Sequence, residues 1–141
     1  MNLALEERDH AMEKATQLSI AMGNVPGQLG RLCRVLAQAG VNVRGISISD
    51  AADLSVVRLL ASDPAAAENA LREAGIWFTA HDVLVVELDH RPGALEGVAM
   101  RLGEAGINVH YVYGAADGAE GKAVLVLSVS DVDLARQTLG E

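Results

Sequence analysis

The chain has 141 residues, half of them apolar, and eleven Lys and Arg against nineteen Asp and Glu give a formal charge of −8. That acidic excess opposes sequence-independent attraction to nucleic-acid phosphates or anionic membrane, and a lone Cys33 excludes an intramolecular disulfide framework. No apolar run is long enough to span a bilayer as a helix, and Glu6, Glu7 and Asp9 stand where a secretory leader needs basic residues, so a reducing, cytoplasmic setting is expected.

Residues 1–14 have helix-forming composition with little periodicity, and nothing downstream matches them, so they are expected to form an appended arm. An apolar strand from Gln17 to Met22 runs into Gly23. Pro26 and Gly27 then break it before a helix whose apolar stripe is Leu29, Leu32, Cys33 and Leu36. Gly40 is a left-handed cap, and Val41–Ser49 and Leu54–Ala61 read as a hairpin around Asp50 and Asp53. Pro64 opens a second helix that stops at Gly75, and Trp77–Ala80 reads as a short strand. The order strand, helix, strand, strand, helix, strand is the split βαβ plan of a ferredoxin-like sandwich.

The plan then repeats. Val83–Leu88 is the next strand, Leu95, Val98, Ala99 and Leu102 the next helix stripe, and Ile107–Tyr113 with Ala123–Val129 the next hairpin. Eight of the twenty positions from 24 to 43 are identical to their counterparts 66 residues later, without a gap. Ser62-Asp63 returns as Ser130-Asp131 with the offset grown to 68, which puts a two-residue insertion in the loop of Gly114, Gly118 and Gly121. The counterpart of Gly75 would be residue 143, so the second copy lacks a fourth strand of its own. The arm, a neighbouring chain or solvent must meet that edge.

The segment after the first strand of each copy is the place for binding chemistry. A Pro-Gly turn there exposes backbone N–H groups at a helix N-terminus, which favours a carboxylate, and Asn42 or Asn108 at the next strand can both donate and accept, which suits an α-amino acid. The plainer alternative is that Pro-Gly merely starts a helix and Asn merely opens a strand. These residues, Asn24-Val25-Pro26-Gly27-Gln28-Leu29 and Arg91-Pro92-Gly93-Ala94-Leu95, with Ala39-Gly40-Val41-Asn42-Val43 and Ala105-Gly106-Ile107-Asn108-Val109, resemble the ACT domain, a small amino-acid-binding regulatory module. The likeness covers about residues 15 to 141 and is similar to stand-alone tandem ACT proteins.

The resemblance implies an α+β fold of two βαββαβ modules, antiparallel sheets with helices on one face, divided as an arm over 1–14, a first module over 15–81 and a second over 82–141. It implies an effector held where modules pair, with Asn24, Val25, Pro26, Gly27, Gln28, Leu29, Asn42 and Val43 from the first copy. The second copy offers His90, Arg91, Pro92, Gly93, Ala94, Leu95, Asn108 and Val109. His90 departs from the small Asn or Asp of the family pattern, so the two sites need not be equivalent. The expected ligand is an amino acid or related metabolite, with a metabolic enzyme as a possible partner, a homodimer as a possible assembly, and no cofactor.

Catalysis is not expected. Cys33 lies on the helix stripe with an Ala99 twin and is expected to be buried as a small hydrophobe. His81-Asp82 and Asp89-His90 flank one strand, whose ends lie roughly 20 Å apart. His10, His81, His90 and His110 show no metal-ligand spacing. An RNA-binding sheet would need stacking aromatics and a basic surface. Tyr111 and Tyr113 share one face of their strand and are expected to pack with hydroxyls toward solvent. The competing function is a regulatory or assembly subunit acting by protein contact, with degenerate ligand sites.

Overall fold

A computed structural model describes residues 12–115 and 119–140. Most of the expected arm, with Glu6, Glu7, Asp9 and His10, and the loop position Gly118 lie outside the described residues. The elements are β1 (Met12–Gly23), α1 (Gln28–Gln38), β2 (Val43–Ala51), β3 (Leu54–Ala61), α2 (Pro64–Glu73), β4 (Thr79–Asp89), α3 (Ala94–Glu104), β5 (Val109–Ala115), β6 (Lys122–Val129) and α4 (Val132–Gly140). They fall into two compact units, Thr16–His81 and the described chain from Asp82 onward together with Met12–Ala15.

The first unit orders its strands β2-β3-β1, the second β4-β6-β5, all pairs antiparallel. Alternation sends Leu18, Ile20, Val57, Leu59 and Ala61 to one face, where they meet Leu32 and Leu36 of α1 and Ala67 and Leu71 of α2. The second unit repeats this with Leu84, Val86, Leu88, Leu127 and Val129 against Val98, Leu102, Ala135 and Leu139.

Helix ends explain two shifts from the expected boundaries. The Gly40 N–H donates to Ala37 O and the Val41 N–H to Leu36 O, both at 3.0 Å, the paired bonds of a Schellman motif with Gly40 at φ 71°. Val41 and Ile107, expected to open strands, instead close helices and bury their side chains. The Ser-Asp repeat also acquires a structural role: Asp63 and Asp131 cap α2 and α4 by accepting from the Ala66 and Leu134 N–H groups.

Three expectations are corrected. Cys33 is exposed, because Leu32 and Leu36 define the inward direction of α1 and the next residue points about 100° away. Trp77–Ala80 and Val83–Leu88 are not separate strands: no Gly or Pro separates them, β4 begins at Thr79 and continues to Asp89, and Trp77 is left outside it, 72% exposed. Met12, Glu13 and Lys14 are strand rather than a helix-forming appendage. Tertiary pairing overrides their propensity.

That last correction closes the second unit. By the 66-residue offset Met12–Ala15 correspond to Phe78–His81, the residues that complete the first unit. In the first unit the His81 ring lies 3.1 Å from Ser19 Oγ and 3.0 Å from Thr79 Oγ1. In the second, Lys14 Nζ lies 3.1 Å from Asp133 and 3.7 Å from Asp82, while Met12 packs on the core. The hydrogen bond and charge of Asp133, then the charge of Asp82, raise the Lys14 pKa. A raised lysine contributes stability that is complete below its unfolded value and is lost as pH climbs through the folded one. Lys14→Gln is therefore expected to lower the melting temperature at neutral pH, with the gap from wild type closing in the alkaline range where lysine titrates. A gap that persists there would remove the ion pair as its cause.

Candidate functional site

Each Pro-Gly segment is a tight turn leading straight into a helix. Gly93 has φ 88° and ψ −11° after Pro92, and the Ala94 N–H reaches back 3.3 Å to Arg91 O, the geometry of a type II turn. Gly27 repeats it at φ 91° and ψ −11°. Neither helix N-terminus has a side-chain cap, and the first intrahelical bonds are Arg31 N–H to Gly27 O and Gly97 N–H to Gly93 O. The N–H groups of the opening turn therefore face outward as an anion-favouring end.

The surroundings of the two turns differ. Asn24 is bound to the hairpin: its backbone N–H donates to Asp53 O at 2.9 Å and its side-chain amide to Asp50 Oδ1 at 2.9 Å and Ala52 O at 3.3 Å. Val25 and Leu29 stand 56% and 42% exposed beside the turn, unused by the core of their own unit. In the second copy Arg91 replaces Val25 and lies 3.7 Å from Asp89, which also accepts from the Lys122 ammonium. His90 is exposed, with its N–H bound to Gly121 O at 2.9 Å, and Leu95 is 43% exposed. The α1 first turn holds no acid, whereas α3 carries Glu96.

Asn42 and Asn108 sit elsewhere. Gly23, at the turn, pairs with Leu54 at the start of β3, and Val43 pairs with Ala61 at its end. Seven residues at about 3.4 Å each separate these points by roughly 24 Å. One small ligand cannot touch both the Pro-Gly turn and the Asn of the same unit. The Asn backbones instead hold the chain reversal: the Asn42 N–H donates to Ser62 Oγ at 2.9 Å and the Ser62 N–H to Asn42 O at 2.8 Å, and Asn108 and Ser130 do the same at 2.9 Å each. The Asn108 amide lies 3.4 Å from His110 Nδ1. Val43 and Val109 open the adjoining strands and pack on the two cores.

A hollow lies beside the first turn, about 190 Å³, lined by Met22, Gly23, Gln28, Arg31, Leu32, Ile76 and Trp77 among others. Arg31 and Trp77 escaped the sequence-based choice of site residues. The available signals were an arginine four residues beyond Gly27, hence one helical turn on, and the chain's single Trp just after a helix stop. Arg31 Nη2 donates to Ala74 O at 3.1 Å, which holds the guanidinium at the hollow. The second unit has a narrower cavity of about 40 Å³ below its turn, lined by Met12, Val86, Leu88, Val98, Leu139, Ala94, Gly93, Arg91 and Arg101.

Tyr111 and Tyr113 are half-buried with their rings stacked at 6.3 Å between centroids, opposite Ser128 and Val126. Among the described residues no three His, Cys, Asp or Glu side chains gather as metal ligands, and no helix is long and apolar enough to cross a membrane.

The turns make a stability contrast. A Cβ at Gly27 would meet nothing within 4 Å, so Gly27→Ala strains the backbone at φ 91° without a clash and is expected to cost about 1–2 kcal/mol. Gly30, also open but inside α1, should gain about 0.5–1 kcal/mol on replacement by Ala. Denaturant unfolding of both variants checks the pair, and equal signs would contradict the left-handed turn.

The profile of the ACT domain pair family matches residues 13–139. No curated protein sequence matches. Among solved structures, protein BT0572 from Bacteroides thetaiotaomicron is similar at 30% identity with a TM-score of 0.84, over 91% of this chain and 88% of that one. The ligand-free regulatory subunit of aspartate kinase from Thermus thermophilus shares the fold at 15% identity and TM-score 0.68, over 92% and 93% of the two chains. The corresponding subunit from Thermus flavus does so at 17% and 0.61, over 92% and 94%. With a doubled Pro-Gly turn, two repeated α+β cores and a family match over nearly its whole length, this chain belongs to the ACT domain pair family.

Proposed function

We propose that the chain is a non-enzymatic regulatory protein that binds a free amino acid at its first Pro-Gly turn and passes the binding state to a partner enzyme. The supporting observation is the hollow beside α1, where an uncapped helix N-terminus and the Arg31 guanidinium favour a carboxylate and Trp77 offers an apolar wall. Because Asn42 lies at the far end of its unit, it is not among the contacts of a small ligand at the turn. Such a ligand passes its binding state on only by binding one arrangement of the protein better than the alternative. The aspartate kinase subunits that share the fold are regulatory by name, which agrees with this role for an ACT pair.

Trp77 is the single tryptophan, so its fluorescence reports the hollow directly. Titration with each L-amino acid, alongside thermal unfolding, is expected to give a selective fluorescence change and a melting-point rise for one or two of them. Saturation at about 100 times Kd corresponds to about 2.7 kcal/mol. Gln28→Glu puts a carboxylate in the first helical turn, where the dipole favours it, so the fold should hold while affinity for the amino acid falls at least tenfold. A flat panel with both readouts would overturn the sensor. The competing role as an assembly subunit is favoured by Ile46 and Ile48, 37% and 47% exposed on the outermost strand of the first unit. It predicts a stoichiometric partner that co-purifies regardless of amino acids.

A further inference from the structure

The repeat makes each wall of the second cavity comparable with a position in the first unit. Val86 stands where the first copy has Ile20, Val98 where it has Leu32, Ala94 where it has Gln28 and Met12 where it has Phe78. The registers agree with this alignment, since Ile20 pairs with Val57 and Val86 with Leu125, 68 residues on. In the first unit Ile20 and Leu32 are buried in the core and Phe78 packs against it, with Arg72 stacked 5.3 Å over the Phe78 ring. The second copy is smaller at all four positions, while Arg91 and Arg101 on the same lining are larger than their counterparts Val25 and Val35. Its cavity of about 40 Å³ exceeds the roughly 10–15 Å³ that a single water needs.

The floor of the cavity is aliphatic and buried, formed by Val86, Leu88, Val98 and Leu139. Its exposed rim is Arg91 and Gly93, where the uncapped N-terminus of α3 begins. Glu96 weakens the attraction of that helix end, and Arg91 restores a positive charge at the rim: its Nε faces Asp89, whose charge Lys122 also shares. Arg101 forms a wall, fixed by its bond to Thr138 O at 2.7 Å. A pit with an aliphatic floor and a cation at its mouth selects an anion carrying a short apolar tail. The volume admits a few carbons, and Met12, an unbranched side chain, can be pushed aside to admit a branch.

We infer that the second unit holds its own binding site, chemically unlike the first, for a short branched aliphatic carboxylate: the tail enters the pit against Met12 and Leu139 and the carboxylate rests on Arg91. Isovalerate and L-valine are the probes, with and without an ammonium group. The full chain, labelled at its methionine methyl groups, reads the pit at Met12, with exposed Met100 as internal control and Trp77 fluorescence reading the first unit separately. The expected result is a saturable shift of the Met12 resonance with Met100 and Trp77 unmoved. Met12→Phe combined with Val98→Leu rebuilds the first unit's packing and should reduce affinity at least tenfold. Arg91→Gln, at an exposed position, should weaken carboxylate binding severalfold with the fold intact. A static Met12 signal, or a filled variant that binds like wild type, overturns this site. A Trp77 response that survives either result leaves the amino-acid reading of the first unit standing, and loss of the Trp77 response alone removes only that reading.

Discussion

A three-stranded antiparallel sheet with helices on one face leaves the edge beside its first strand open, and the completion of each unit depends on how that edge is closed. In the first unit the closing segment, Thr79–His81, follows in sequence. In the second it comes from residues far upstream, Met12–Ala15, held by Lys14 to Asp82 and Asp133 and by Met12 on the core. Unpaired backbone at such an edge is an aggregation liability, and a four-residue segment with an ammonium at its centre is a small structure with a large consequence. It also brings a flexible methionine to the position where the first copy has a rigid phenylalanine.

The two copies therefore share a frame but not a chemistry. Glycines at positive φ, Ser-Asp caps and Schellman helix ends recur because the backbone needs them wherever the fold is built. The residues around the turns are free of that demand, and there the copies diverge: Val25 against Arg91, Gly30 against Glu96, Ile20 and Leu32 against two valines. One turn opens onto a polar hollow with Arg31 and Trp77, the other onto a narrow aliphatic pit. The two proposed sites rest on this divergence of lining within a shared frame.

Recurrence alone does not say which of the repeated residues the fold itself uses. Asn42 and Asn108 recur, and their backbone exchange with Ser62 and Ser130 accounts for a chain reversal at that point. The Pro-Gly turns recur and leave their helix ends uncapped, which is chemistry that the fold itself does not consume. Exposed Val25, Leu29 and Leu95 beside those turns point the same way, as apolar surface that the cores of their own units leave in water.

The amino-acid sequence by itself determined the duplication, the succession of strands and helices from the first strand to the second helix of each copy, and the turn positions, because these rest on periodicity and on Gly and Pro, whose backbone constraints are local. It left undecided what only the tertiary structure settled. Cys33 faces outward because helix rotation is set by which neighbours the sheet offers. Trp77 lies outside its strand, and Thr79 to Asp89 is continuous because pairing, not composition, sets a strand's length. Met12 to Lys14 became strand because an open edge lay waiting for them. The Pro-Gly turn and Asn42 proved to be roughly 24 Å apart because antiparallel pairing sends the two ends of β3 to opposite sides of the unit. Side-chain identity is local information, but which side chains meet is decided by register, and register is a property of the whole sheet.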